Sequence, residues 1–350
     1  GFVARGRTAR ARGPAAPDPA AGAALAAQRQ PASPAGAEGA PAPRGRGRCR
    51  PGAARPNRDR ARGAYNPEPM RRIAIVNQKG GVGKTTSAVN LGAALARAGQ
   101  RVVLFDLDPQ GNLSTHLGIE VEAGEPSSYG VLAGSCSVAE ALCQTRTPGL
   151  WVVPTGIDLS GAELELAQAE DREQILARAL SRWSAESEQR HGVAPAEFVL
   201  FDCPPSLGLL SLNALIAASE VFIALQTEFL ALQGMTRLLD VIERIREHMN
   251  PGLTVSGIIP CLYDNRLRLG REVLSDIRRY FPAQCFRRAI SANVKLAEAP
   301  SFGQSIFEYA PDSTGARDYA ELAEEVLAQG RPLAPEAAAP AASAGPGLLS

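Results

Sequence analysis

From residue 71 to residue 260 the apolar positions fall into short unbroken runs separated by longer stretches with helical spacing. The runs are "RIAIVN" (72–77), "RVVLFDLD" (101–108), "LWVVPT" (150–155), "EFVLFDCPP" (197–205), "EVFIAL" (220–225) and "LTVSGIIP" (253–260). A strand that is apolar without alternation is buried on both faces, as in a parallel sheet sandwiched between helices. The helical stretches fall around 85–99, 160–183, 206–218 and 231–249. Strand–helix alternation of this kind predicts an α/β domain, a mostly parallel sheet with helices on both faces. Such sheets bind ligands beyond the carboxyl ends of their strands. The glycine-rich "NQKGGVGKTT" (77–86), Asp106, Asp108 and Asp202 all stand at those ends.

The pattern fades at both flanks. Residues 1–69 are Ala/Pro/Gly/Arg-rich with almost no aliphatic periodicity, a composition unable to bury a core. They are expected to be disordered, either as a basic tail that touches DNA or as a stretch foreign to the natural protein. The second alternative rests on Gly1 at the start and on Met70 immediately before the first strand. Residues 331–350 read as a second disordered tail, leaving a single domain at 70–330.

Charge divides along the same lines. The chain carries +1 overall, but residues 1–69 carry +9 and the remainder −8, and within the remainder residues 261–300 carry +4. A basic segment in an acidic body can mark a polyanion-binding face, although a solvated helix face gives the same count. No stretch approaches the ~18 apolar residues of a membrane span and no secretory signal is visible. Six scattered cysteines without a C-x-x-C pair argue against a disulfide framework or a zinc or iron–sulfur centre, and suit reduced cytoplasmic thiols.

The loop at 77–86 departs from the ordinary G-x-x-x-x-G-K-[ST] phosphate loop, because position 78 is Gln and a second lysine, Lys79, precedes Gly80, Gly81, Val82 and Gly83. Lysine is scarce here: of 37 basic residues three are Lys, and Lys79 and Lys84 share this loop. A compact ammonium fits among phosphate oxygens without the bulk of a guanidinium. Glycines let backbone N–H groups converge on phosphate at a helix N-terminus. Lys84 is expected to reach the β- and γ-phosphates, Thr85 to ligate Mg²⁺, and Thr86 to add a hydroxyl contact. Asp202 is placed to hold Mg²⁺ through water and Asp108 to orient the attacking water. Asp106 reads equally as a further metal partner or as a strand-end cap.

Taken together, "KGGVGKTT", "DLDPQGN", "FDCPPSLGLLSLNAL", "TEFLALQG" and "NVKLAEAPSFGQSI" resemble the ParA/Soj family of partition ATPases, over about residues 71–329. The resemblance implies a P-loop NTPase fold with ATP and Mg²⁺ as cofactors. It implies that the loop's extra lysine, matched by Lys79, reaches across a nucleotide-sandwiched homodimer to the partner's ATP. It also implies non-specific double-stranded DNA binding by the ATP dimer, with Arg266 and Lys295 at matching positions, stimulation by a ParB-type partner, and a cytoplasmic, nucleoid-associated protein. One departure is Ala292 in "ISAN", where the family commonly has Arg; Arg287 and Arg288 are candidates to compensate. The alternative, a MinD-like membrane-surface ATPase, wants a C-terminal amphipathic anchor that 331–350 does not spell, so no membrane partner is expected.

Overall fold

The computed structural model describes residues 70–191, 195–228 and 231–330, with the backbone of Gly47–Arg48. The tails expected at 1–69 and 331–350 lie outside the described residues, apart from Gly47–Arg48, which runs parallel to Ile119–Glu120.

Seven strands build the main sheet: β1 Arg71–Val76, β2 Val102–Asp106, β3 Cys143–Gln144, β4 Leu150–Val153, β5 Phe198–Asp202, β6 Glu220–Gln226 and β7 Thr254–Cys261. Their order is β3-β4-β2-β5-β1-β6-β7, parallel throughout except for β3, which is antiparallel to β4. From β1 the chain passes through helix α1 (Lys84–Arg97) to β2, leaving a slot that β5 later fills. It then builds outward on the other side of β1 with β6 and β7. The direction of winding therefore reverses at β1, and the crevice at such a reversal is where α/β sheets take ligands.

Period-two side-chain alternation sends β1 into two cores. Ile73 and Ile75 pack with Val89, Leu91 and Leu95 of α1 and with Tyr319 and Leu322 of a C-terminal helix, Thr314–Ala328. Ala74 and Val76 face Leu210, Leu215 and Leu238 on the opposite side. Helix α1 lies so close to β2 that a Cβ on Gly92 would stand 2.7 Å from Leu104 Cδ2. At the amino ends of the strands Arg71 and Glu220 form a buried bidentate pair (2.7 and 2.6 Å), with Arg71 also donating to the Val326 carbonyl and Ser256 to Glu220. This pair clamps β1, β6 and the C-terminal helix on the side away from the crevice.

Three expectations need correction. The helix read over 160–183 is two, Leu159–Leu166 and Ile175–His191, broken where Asp171 adopts φ 50°. Buried Asn213 fills the break, donating to the Arg172 carbonyl at 2.8 Å and accepting from Leu176 N at 3.1 Å. Helices at Arg268–Tyr280 and Thr314–Ala328 escape the apolar pattern. The first buries a narrow stripe (Gly270, Val273, Leu274, Ile277) among arginines, and the second interleaves Tyr319, Leu322 and Val326 with small and charged residues. Cys143 is disulfide-bonded, an exception to the reduced thiols expected, while Cys136, Cys203, Cys261 and Cys285 are free. One bond is not a framework, and burial pushes the Cys203 thiol far above its ordinary range and Cys261 up to about 12, leaving both unreactive.

Candidate functional site

The glycine loop leaves the end of β1 in the middle of the sheet. Asn77 anchors its base, donating to the Ala224 carbonyl of β6 at 2.6 Å and accepting from Lys79 N at 2.9 Å. Gly81 (φ 73°) and Gly83 (φ 98°) take left-handed conformations that turn the chain into α1, with Gly83 at the N-cap. A Cβ built on Gly80 or Gly81 would meet no atom within 4 Å. The space over the loop is therefore open, and a side chain there would intrude on any phosphate. The first turn of α1 holds no acidic residue, so the helix's positive end is left for an anion.

The two lysines part company. Lys84 is buried, and its Nζ donates to the Lys79 carbonyl at 3.3 Å, leaving protons for a ligand. Burial lowers its pKa, opposed by Asp202 and Asp108. Lys79 instead turns to the rim: 58% exposed, its Nζ lies 2.5 Å from Glu228 Oε2 and 3.1 Å from Gln226 Oε1. One loop thus aims one ammonium inward and holds the other at the surface.

The three carboxylates also differ. Asp106 and Asp202 are in register on the adjacent strands β2 and β5. Asp106 is occupied: Oδ2 accepts from Ser114 N (2.9 Å) and Ser114 Oγ (2.7 Å), and Oδ1 from Asp108 N (3.3 Å). Ser114 Oγ in turn accepts from Thr155 N at 3.0 Å. Asp106 is therefore a strand-end clamp on helix α2 (Asn112–His116), and burial, against those hydrogen bonds, raises its pKa to about 6. Both oxygens of Asp202 are buried without a hydrogen-bond partner. Burial first, then Asp106, pushes its pKa well above the usual carboxylate range, with the Thr85 hydroxyl and Lys84 pulling the other way. Asp108 lies two residues beyond β2, its Oδ1 accepting from Gln110 N at 3.0 Å, in a loop that Gly111 (φ 62°) turns into α2.

An orphaned buried carboxylate beside a hydroxyl and a half-satisfied ammonium, below an open glycine cradle, fits a polyphosphate carrying a hard divalent cation. Among the described residues no group of three or more His, Cys, Asp or Glu is arranged to hold a metal by itself. A cation at Asp202 would accordingly take its remaining ligands from phosphate, Thr85 and water.

The basic segment lies beyond β7. A bridge between Tyr263 and Ser291, with Ala292 N donating to Tyr263 O at 2.9 Å, sets the Arg266 loop beside the turn leading to Lys295. Arg266 is 85% exposed and bidentate on Asp264 (2.9 and 2.7 Å); Lys295 contacts Glu298 at 2.9 Å. Exposed pairs of this kind are weak enough to exchange for other anions. Ala292 is exposed between them. Arg288 is no substitute for an arginine there, because Asp318 and Glu321 hold it at 2.7 and 2.8 Å; Arg287 is exposed. Leu262, at the start of this segment, adopts φ 53°.

Sequence reasoning passed over several residues that build the site: Asn77, Ser114, Glu228 and Asn90. Asn90 on α1 donates to Thr86 O at 2.8 Å and accepts from Ile306 N at 2.7 Å. Each is a polar or charged residue with at least one partner far off in sequence, so no local pattern marks them.

Several known proteins are similar to this chain. A family model described as an AAA domain matches residues 70–255. The chromosome partitioning protein ParA of Caulobacter vibrioides is 46% identical over 263 residues, 75% of this chain and 96% of that one. The chromosome-partitioning ATPase Soj of Treponema pallidum is 46% identical over 257 residues, 73% and 97% of the two chains. Among solved structures, a cobyrinic acid a,c-diamide synthase from Mycobacterium smegmatis, bound to ADP and magnesium, superposes with a TM-score of 0.62 at 36% identity, covering 74% of this chain and 94% of that one.

Proposed function

Because the chain belongs to the ParA/Soj family of chromosome-partitioning ATPases, we propose that it is a switch whose ATP-bound homodimer holds DNA and whose hydrolysis releases it. The protein is an ATPase that uses ATP and Mg²⁺. The backbone N–H groups of the loop and α1 bind phosphate, and Lys84 neutralises its charge. Thr85 and Asp202 hold the cation, and Asp108 orients the attacking water, steadied by the Asp106–Ser114 clamp. The cation, when bound, offsets the charge that develops on the β- and γ-phosphate oxygens.

The observation that carries the switch is the position of Lys79. Its ammonium stands at the exposed rim on Glu228 and Gln226, away from the inward-facing Lys84. A cation so placed serves a second subunit's nucleotide better than its own, and it acts only after two chains close. Arg266 and Lys295 supply the DNA contacts, doubled in the dimer and directed at phosphate rather than base. A ParB-type protein stimulates hydrolysis, and the protein works in the cytoplasm on the nucleoid. The test is size-exclusion chromatography of Lys79→Ala with a slowly hydrolysed ATP analogue, alongside a nucleotide-binding titration. The variant should bind nucleotide and remain monomeric; normal dimerisation would remove the in-trans role.

A further inference from the structure

The loop that carries Asp108 and the turn that carries Lys295 meet inside the molecule. Helix α2 follows Gly111 directly and ends at His116. Two residues later Gly118 (φ 67°) abuts Gly303 (φ 63°) backbone to backbone. A Cβ on Gly303 would stand 2.9 Å from Gly118 Cα, and one on Gly118 3.2 Å from Gly303 Cα. No side chain cushions this contact, so displacement of one backbone is passed to the other.

Gly303 closes the short helical turn Ala299–Phe302, which continues from the helix Val294–Glu298 bearing Lys295. The turn is rigidly linked to that lysine. Phe302 stacks on Tyr309 at 4.8 Å; Tyr309 donates to Glu298 at 2.7 Å; and Lys295 sits on Glu298 and over the Tyr309 ring at 5.6 Å. The far end is tied to α1 by the Thr86–Asn90–Ile306 hydrogen bonds. Beside the glycine contact lie two buried polar atoms without a hydrogen-bond partner, His116 Nε2 on one side and Gln304 Oε1 on the other. Unsatisfied buried groups are costly, so an arrangement that paired them, directly or through a shared water, would be favoured over this one.

We propose that the Gly118–Gly303 contact, with His116 and Gln304, is the joint through which the Asp108 loop sets the position of Lys295. Nucleotide state moves α2, the two glycines pass the movement on, and the His116–Gln304 pair gives the joint its two settings. The DNA half of this inference rests on the function proposed above; the joint itself does not.

The experiment compares hydrogen–deuterium exchange of residues 294–304 in the full chain with a slowly hydrolysed ATP analogue and with ADP. The variants are Gly303→Ala, Gln304→Leu and, as control, Gly124→Ala, a glycine at φ 83° with no atom near its would-be Cβ. In the parent and in Gly124→Ala, exchange should slow severalfold with the triphosphate. In Gly303→Ala and Gln304→Leu the difference should disappear while nucleotide binding persists. Retention on non-specific duplex DNA should then lose at least tenfold of its ATP-over-ADP preference in the joint variants alone. An unresponsive parent segment, or joint variants that respond like the parent, would overturn the joint. Responsive exchange without DNA retention by any protein would uphold the joint and sink the DNA reading.

Discussion

Asp202→Asn should make the nucleotide-free protein more stable and its Mg–ATP complex weaker. Asp202 is buried with both oxygens unpartnered, and its pKa lies well above the usual 3.8. A buried carboxyl without a partner carries a penalty of about 3–5 kcal/mol, against about 1–3 kcal/mol for an unpaired amide of the same shape. The net gain is about 2 kcal/mol, or roughly 4–8 °C in Tm for a domain of this size. The sign also fixes the pH dependence. A raised folded pKa means the penalty is absent below pH 3.8 and grows as pH rises, so the advantage of Asn should vanish toward pH 4. Mg–ATP at a hundredfold excess over Kd stabilises the parent by about 2.7 kcal/mol, whereas tenfold weaker binding gives the variant about 1.4. The gap between the two should then shrink below about 1 kcal/mol. Thermal unfolding at pH 4.5 and 7, with and without Mg–ATP, reads every arm. A variant less stable than the parent without nucleotide would mean that Asp202 has a structural partner, and the cation assignment would lose its basis.

Glu228→Gln should release Lys79 from its rim contact; an exposed pair is worth at most about 1 kcal/mol, so the dimer fraction at limiting ATP analogue, read by light scattering, should rise by up to about fivefold. No rise would mean that Glu228 does not restrain Lys79. Glu220→Ala strands the buried Arg71 guanidinium and should cost about 3–5 kcal/mol in urea unfolding, while Arg71→Met with Glu220→Leu should recover most of it. A loss under about 1 kcal/mol would show that the clamp is not needed.

What the sequence disclosed followed from strong local signals. The unbroken apolar runs are legible because each parallel strand is buried on both faces, and the loop because Gly81 and Gly83 need φ values that glycine tolerates. Asp202 and Asp108 could be found because both stand just past such a run. The separate duties of Asp106 and Asp202 could not, because they depend on Ser114, eight residues beyond Asp106, reaching one carboxylate and not the other. The rim position of Lys79 is set by Gln226 and Glu228, about 150 residues away, which no spacing rule connects. The helix at Arg268–Tyr280 escapes the apolar pattern because it buries four residues, one of them glycine, and its surface is charged. Arg288, a candidate to compensate for Ala292, is held in ion pairs by the C-terminal helix.

The most direct test of the nucleotide-switched DNA clamp is retention on non-specific duplex DNA at fixed salt, with a slowly hydrolysed ATP analogue against ADP. It should be run on the full chain, on a chain beginning at Met70, and on Arg266→Glu and Lys295→Glu in that shorter chain. Residues 1–69 carry +9 and would bind polyanions in either nucleotide state. The account predicts that the chain from Met70 still binds DNA with the ATP analogue and not with ADP, and that either substitution abolishes binding while dimerisation survives. A chain from Met70 that bound no DNA in either state, with the full chain binding equally in both, would contradict it.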